Sequence, residues 1–73
     1  MSQYDKLDSL IFQSIKAGSN SFILIFNRKR VIDEVKRISS ATGRDTDRIV
    51  DGRLQALRRR GLIVYVTGWG WRV

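Results

Sequence analysis

Ten of the fourteen basic side chains in this 73-residue chain are arginine. A guanidinium presents a flat fork of donors that fits two phosphate oxygens or the edge of a guanine, whereas lysine offers only a point charge. The placement narrows the chemistry. Residues 1–26 balance to zero, and residues 27–73 carry the whole formal charge of +7. A neutral first part joined to a basic second part suits a polyanionic partner; a solvated basic surface that keeps the chain soluble is the plainer reading. Nine of the fourteen basic residues fall into Arg28-Lys29-Arg30, Arg44 and Arg48, Arg58-Arg59-Arg60, and Arg72, with Gln55 between two of these groups.

Catalysis finds few parts. No His is present to serve as a general base, and no Cys to serve as nucleophile, metal ligand or disulfide. Asp33-Glu34 is a pair of adjacent carboxylates, but neighbours on a helix point about 100° apart and do not share a site. Gly68-x-Gly70 has no helix after it, so it is no dinucleotide fingerprint. The residues therefore predict a non-enzyme, with no catalytic residue, no metal and no cofactor. The longest apolar run, Phe22 to Phe26, is far too short for a bilayer span. The first residues show no signal-peptide pattern, and an absence of Cys agrees with a cytoplasmic protein.

The elements that must carry these groups follow from periodicity. Tyr4, Leu7, Ile11 and Ile15, with Leu10, recur at helical spacing and predict a helix over 4–17, stopped by Gly18. Ser2 and Asp5 resemble a capping box at its start. Ser19-Asn20-Ser21 is a turn. The element at 21–26 is either a buried strand or a single helical turn. Asn27 can cap a second helix over 28–41, whose stripe is Val31, Val35 and Ile38 and whose stop is Gly43. Asp45 or Thr46 can cap a third helix over 45–60, with Val50, Leu54 and Leu57 inward and Gly61 at its end.

From Leu62 the period changes. Leu62 to Val66 is β-branched and aromatic, Thr67-Gly68 is a turn signal, and Trp69 to Val73 returns, which predicts a hairpin over 62–73. With a two-residue turn, Val66 faces Trp69, Val64 faces Trp71 and Leu62 faces Val73. All six then share the core face, leaving Ile63, Tyr65, Gly70 and Arg72 on the other. Trp69 and Trp71 read as core residues in preference to stacking platforms.

The stretch Leu54-x-x-Leu57-x-x-x-Gly61-Leu62-Ile63 is similar to the end of a winged-helix recognition helix running into its first wing strand. The closing Trp69-Gly70-Trp71-Arg72-Val73 resembles the return strand. The resemblance covers about residues 4–73 and is to the winged helix-turn-helix superfamily of DNA-binding domains, in the small format of bacterial and phage-encoded regulators. The second helix is longer and more charged than is usual there, and the wing is shorter. The resemblance implies an α+β winged helix: a three-helix core, a C-terminal hairpin, and double-stranded DNA as partner. It places helix 45–60 in the major groove and the start of helix 28–41 on the phosphate backbone.

On that reading Arg44, Arg48, Gln55 and Arg59 face bases, and Arg28, Lys29, Arg30, Arg58 and Arg72 face phosphates. Cations at the start of a helix oppose its dipole by about 0.3–1 kcal/mol each, so Arg28-Lys29-Arg30 gain nothing from local stability; a nearby phosphate or a solvated loop accounts for them. Arg58-Arg59-Arg60 suit a helix C-terminus on structural grounds alone. Gly52 lies on the outer face with Arg48, Gln55 and Arg59. It lets a sugar-phosphate backbone approach, packs on the second helix, or is a tolerated weak point. Arg53, nearer the core, is expected to pair with Asp33 or Glu34. Two other classes fit the composition: a protein-interaction module with an apolar patch at Phe22–Phe26 or at Ile63 and Tyr65, and an RNA-binding domain with exposed aromatics. The run Phe22–Phe26 has more apolar side chains than one core can take, which predicts a homodimer through that region.

Overall fold

The computed structural model describes residues 3–73. The chain is a small α+β domain with four helices followed by a two-stranded antiparallel hairpin. The helices are α1 (Asp5–Lys16), α2 (Phe22–Phe26), α3 (Lys29–Thr42) and α4 (Thr46–Arg59), and the strands are β1 (Val64–Val66) and β2 (Gly70–Arg72). No helix among the described residues is long and apolar enough to cross a membrane.

Each long helix buries one stripe. Leu7, Ile11 and Ile15 from α1, Val31, Val35 and Ile38 from α3, and Ile49, Val50, Leu54 and Leu57 from α4 make one contiguous core. The spacings of three and four residues put each set on one side of its helix, which explains why α1 packs on α3 and α3 on α4. Asp5 and Asp8 in the first turn of α1 and Lys16 in its last turn complement the helix dipole. The N-cap of α1 is Tyr4, without a side-chain cap bond. The capping box proposed from Ser2 falls outside the described residues.

The ambiguous run is a helix. Ser21 caps α2 by accepting from the Leu24 N–H at 3.3 Å, and Phe22 and Phe26 stack one turn apart at 5.7 Å. Ile25 is buried, Phe22 and Phe26 pack at the edge of the core, and Ile23 and Leu24 face out. Asn27 ends α2, so the cap of the next helix is Arg28 and not Asn27. Gly43 closes α3 in the left-handed region at φ 73°, where its N–H reaches the Ser39 carbonyl. Asp45 is the N-cap residue of α4, but its carboxylate makes no cap bond.

The hairpin differs from its expected register by one residue. Val64 pairs with Arg72, Tyr65 with Trp71 and Val66 with Gly70, so the loop is Thr67-Gly68-Trp69 and not Thr67-Gly68 alone. The Trp69 N–H closes onto the Val66 carbonyl at 2.9 Å, with Gly68 at positive φ in the third turn position. The faces change accordingly. Ile63 and Trp71 are buried, while Leu62, Val64, Trp69 and Val73 are exposed. Tyr65 lies on the Trp71 side, edge-on to its ring at 5.1 Å.

The cause is a contact that cross-strand pairing alone does not contain. Asn20, in the turn between α1 and α2, accepts from the Trp71 N–H at 2.7 Å and donates its side-chain amide to the Trp69 carbonyl at 2.7 Å. Gly70 sits directly against it: a Cβ there would stand 2.0 Å from the Asn20 carbonyl oxygen. The hairpin is thus pinned to the α1–α2 turn at Gly70 and Trp71, and this fixes which residues face the core.

Candidate nucleic-acid interface

The cations divide by what holds them. The Arg53 guanidinium forks onto the Asp8 carboxylate, Nε to Oδ1 and Nη2 to Oδ2, both at 2.8 Å. It also lies over the Tyr4 ring, 4.7 Å from the centroid. This pair ties α4 to α1 and is largely shielded from solvent. The Asp8 hydrogen bond holds the Arg53 pKa above its ordinary value against the opposing effect of burial. Arg53 therefore does not pair with Asp33 or Glu34 as expected. Glu34, itself buried, takes Arg37 at 2.6 Å, and the Arg37 hydrogen bond draws its carboxyl below the usual range. Arg37 is raised by the same bond. Arg37 and Arg53 are committed to the fold.

The remaining cations are on the surface. Among the described residues, Arg28, Lys29, Arg30, Arg44, Arg58, Arg59 and Arg72 form no ion pair, and Arg48 has only a loose contact of 3.9 Å with Asp45. All eight are exposed. Two acids, Asp8 and Glu34, are matched by Arg53 and Arg37, and these eight cations stand in water without such a partner, which leaves strong positive potential on the surface.

The outer face of α4 carries Arg48, Gly52, Gln55 and Arg59 at successive spacings of four, three and four. Arg48, Gly52 and Arg59 are exposed and Gln55 is half-buried, its side-chain carbonyl 3.5 Å from the Arg58 guanidinium. Arg44 and Arg48 line one open groove at the α3–α4 turn, together with Gly43, Gly52, Tyr4 and Arg53. Asp45 and Ile49 complete the lining; with Arg53 held by Asp8, the groove's free charge is that of Arg44 and Arg48 against Asp45.

Gly52 has no partner in the chain. A Cβ built on it meets nothing within 4 Å. Packing against the preceding helix is therefore not its reason. It sits at a helical φ in the interior of a 14-residue helix, where Gly costs about 1 kcal/mol relative to Ala.

The other predicted residues do not gather into this groove. Arg28, Lys29 and Arg30 line a second concavity with Asn27 and Leu24. They stand at the opposite end of α3 from Arg44, about 20 Å away along the helix axis at 1.5 Å per residue. Arg58 and Arg59 are in the last turn of α4, where they also complement its dipole. Arg72 is on the outer face of β2, opposite Val64, and not beside Tyr65. Of the two tryptophans expected in the core, Trp71 is there and Trp69 is not; Trp69 stands at the hairpin loop, 68% exposed. Asn20 and the Asp8–Arg53 pair carry weight that the sequence did not signal, since each joins residues 45 or more positions apart. No protein-family model, curated protein or solved structure matches this chain.

Proposed function

We propose that this domain is a winged helix that binds double-stranded DNA, with the outer face of α4 in the major groove and the exposed cations on the phosphates. In this reading it is a small transcriptional regulator of the bacterial or phage type. Arg44, Arg48, Gln55 and Arg59 read base edges, and Arg28, Lys29, Arg30, Arg58 and Arg72 set the register on the backbone. The order of long helix, short element, two helices and hairpin supports it.

The single observation that carries the reading is Gly52. It weakens the helix, touches nothing, and lies between Arg48 and Gln55 on the exposed face. A residue that costs stability without a role in the fold is best explained by something that approaches from outside. A sugar-phosphate backbone or base edge, flanked by a guanidinium and an amide, fits that approach. The longest dimension of the domain is 34 Å, about one turn of B-DNA, so one copy covers a single short site.

Binding to a duplex, followed by fluorescence anisotropy against salt, tests the reading. Contact with about six phosphates gives a log–log slope near −5, and a loss of about 10³-fold in affinity between about 50 and 200 mM salt. A flat response removes the electrostatic basis. A second reading is favoured by one observation, the exposure of Trp69 beside Tyr65: an unpaired RNA strand stacking on these rings. Preference for single-stranded RNA, lost in Trp69→Ala, would replace the duplex reading.

A further inference from the structure

β1 is the outer strand of the hairpin, and its outer edge is bare. Trp71 directs its N–H away from β1, to Asn20. Hydrogen-bonded and non-bonded pairs alternate along an antiparallel ladder, and the two groups of one residue point the same way. Tyr65, directly opposite Trp71, therefore turns both its N–H and its C=O to the outer edge. Neither makes a backbone bond elsewhere. The helix that packs on the hairpin, α1, does so on β2.

An edge of this kind is usually blocked by a charge or a proline. Here the ten residues Gly61 to Gly70 contain neither. Val64 and Val66 flank Tyr65 on the face away from Trp71, and Val64 is half exposed. The strand Val64-Tyr65-Val66 reads the same in both directions. Laid antiparallel on itself, it puts Tyr65 opposite Tyr65 and Val64 opposite Val66. In a chain of charge +7, an uncharged edge is also where two copies meet with least repulsion.

We propose that the outer edge of β1 pairs antiparallel with β1 of a second copy, about a two-fold axis at Tyr65, joining two hairpins into a four-stranded sheet. The two Tyr65 residues exchange N–H···O bonds, and the valines make a shared apolar stripe on the outer face. The inference does not depend on DNA binding and is tested on the protein alone.

The test combines sedimentation equilibrium with amide hydrogen exchange, from tens of micromolar to millimolar chain. Wild-type mass rises toward two chains, and exchange at the Tyr65 amide slows by about tenfold or more as it does so. V64K/V66K sets Lys opposite Lys across the axis and stays a monomer. V64K/V66E sets Lys opposite Glu in the same register and restores the dimer, which an effect on folding alone would not do. A wild-type mass of one chain throughout, or Tyr65 exchange independent of concentration, overturns the proposal. So does a dimer that survives V64K/V66K and is lost instead in Leu24→Lys, because that result assigns association to α2.

Discussion

Replacing Gly52 by alanine separates the fold from the function in opposite directions. Gly52 has a helical φ and open space where a Cβ would go, so alanine fits without strain. The helix propensity difference is about 0.8–1 kcal/mol in favour of alanine, part of it from a less flexible unfolded chain. For a domain of this size that raises Tm by about 4–8 °C. The methyl group then stands on the exposed face between Arg48 and Gln55. If DNA approaches the helix there, the group props α4 away from it and lengthens the contacts made by its neighbours. Losing one charge-assisted hydrogen bond costs about 1.5–3 kcal/mol, so affinity falls about tenfold or more. Thermal denaturation by circular dichroism and anisotropy with a duplex at fixed salt measure the two effects on one sample. A protein that gains stability and binds DNA as tightly as before would refute a close approach at Gly52.

Other perturbations sort the remaining side chains. Arg48→Ala and Gln55→Ala change sequence preference by about 1–3 kcal/mol per lost base contact, whereas Arg28→Ala and Lys29→Ala weaken all duplexes about equally; competition between specific and random duplexes distinguishes them. Asp8→Ala and Arg53→Ala each destabilise by about 2–3 kcal/mol, reduced from the fully buried case by Arg53's residual exposure, and the double mutant loses little more, as urea unfolding will show. The Glu34 carboxyl is lowered in the fold by its bond to Arg37. Its contribution is therefore present above the unfolded carboxylate pKa and lost as pH falls through the folded one. Wild-type Tm drops more steeply than that of Glu34→Gln across the acid range, and only modestly so because Arg37 is well exposed.

What could be read from residue order was local. The stripes Leu7-Ile11-Ile15, Val31-Val35-Ile38 and Val50-Leu54-Leu57 recur every three or four positions, and the structure buries all of them. The same wheel separated Arg48, Gly52, Gln55 and Arg59 from the core side of the last helix. The hairpin was not legible in this way. Leu62 to Val66 is apolar without alternation, so period two could not choose a face, and opposing the bulkiest residues was a weak substitute. The choice is made by Asn20, which lies 49 residues before Trp69. Gly70 held the clue, since a glycine inside a strand often marks a close backbone approach. The Arg53 partner was missed for a similar reason. Asp33 and Glu34 were near in the expected layout, while Asp8 is 45 residues away and reaches Arg53 only when α1 crosses α4. The element at 22–26 depended on whether Ser21 found a donor to cap, and the Leu24 N–H supplied it.

The most direct test of DNA binding through α4 is a backbone amide NMR titration with a short duplex. The prediction is that shifts concentrate at Arg44, Arg48, Gly52 and Gln55, with a second, smaller set at Arg28 to Arg30 and little change at Ile23, Leu24 and Trp69. Shifts confined to Trp69, Tyr65 and the α2 face, with α4 unmoved, would contradict it.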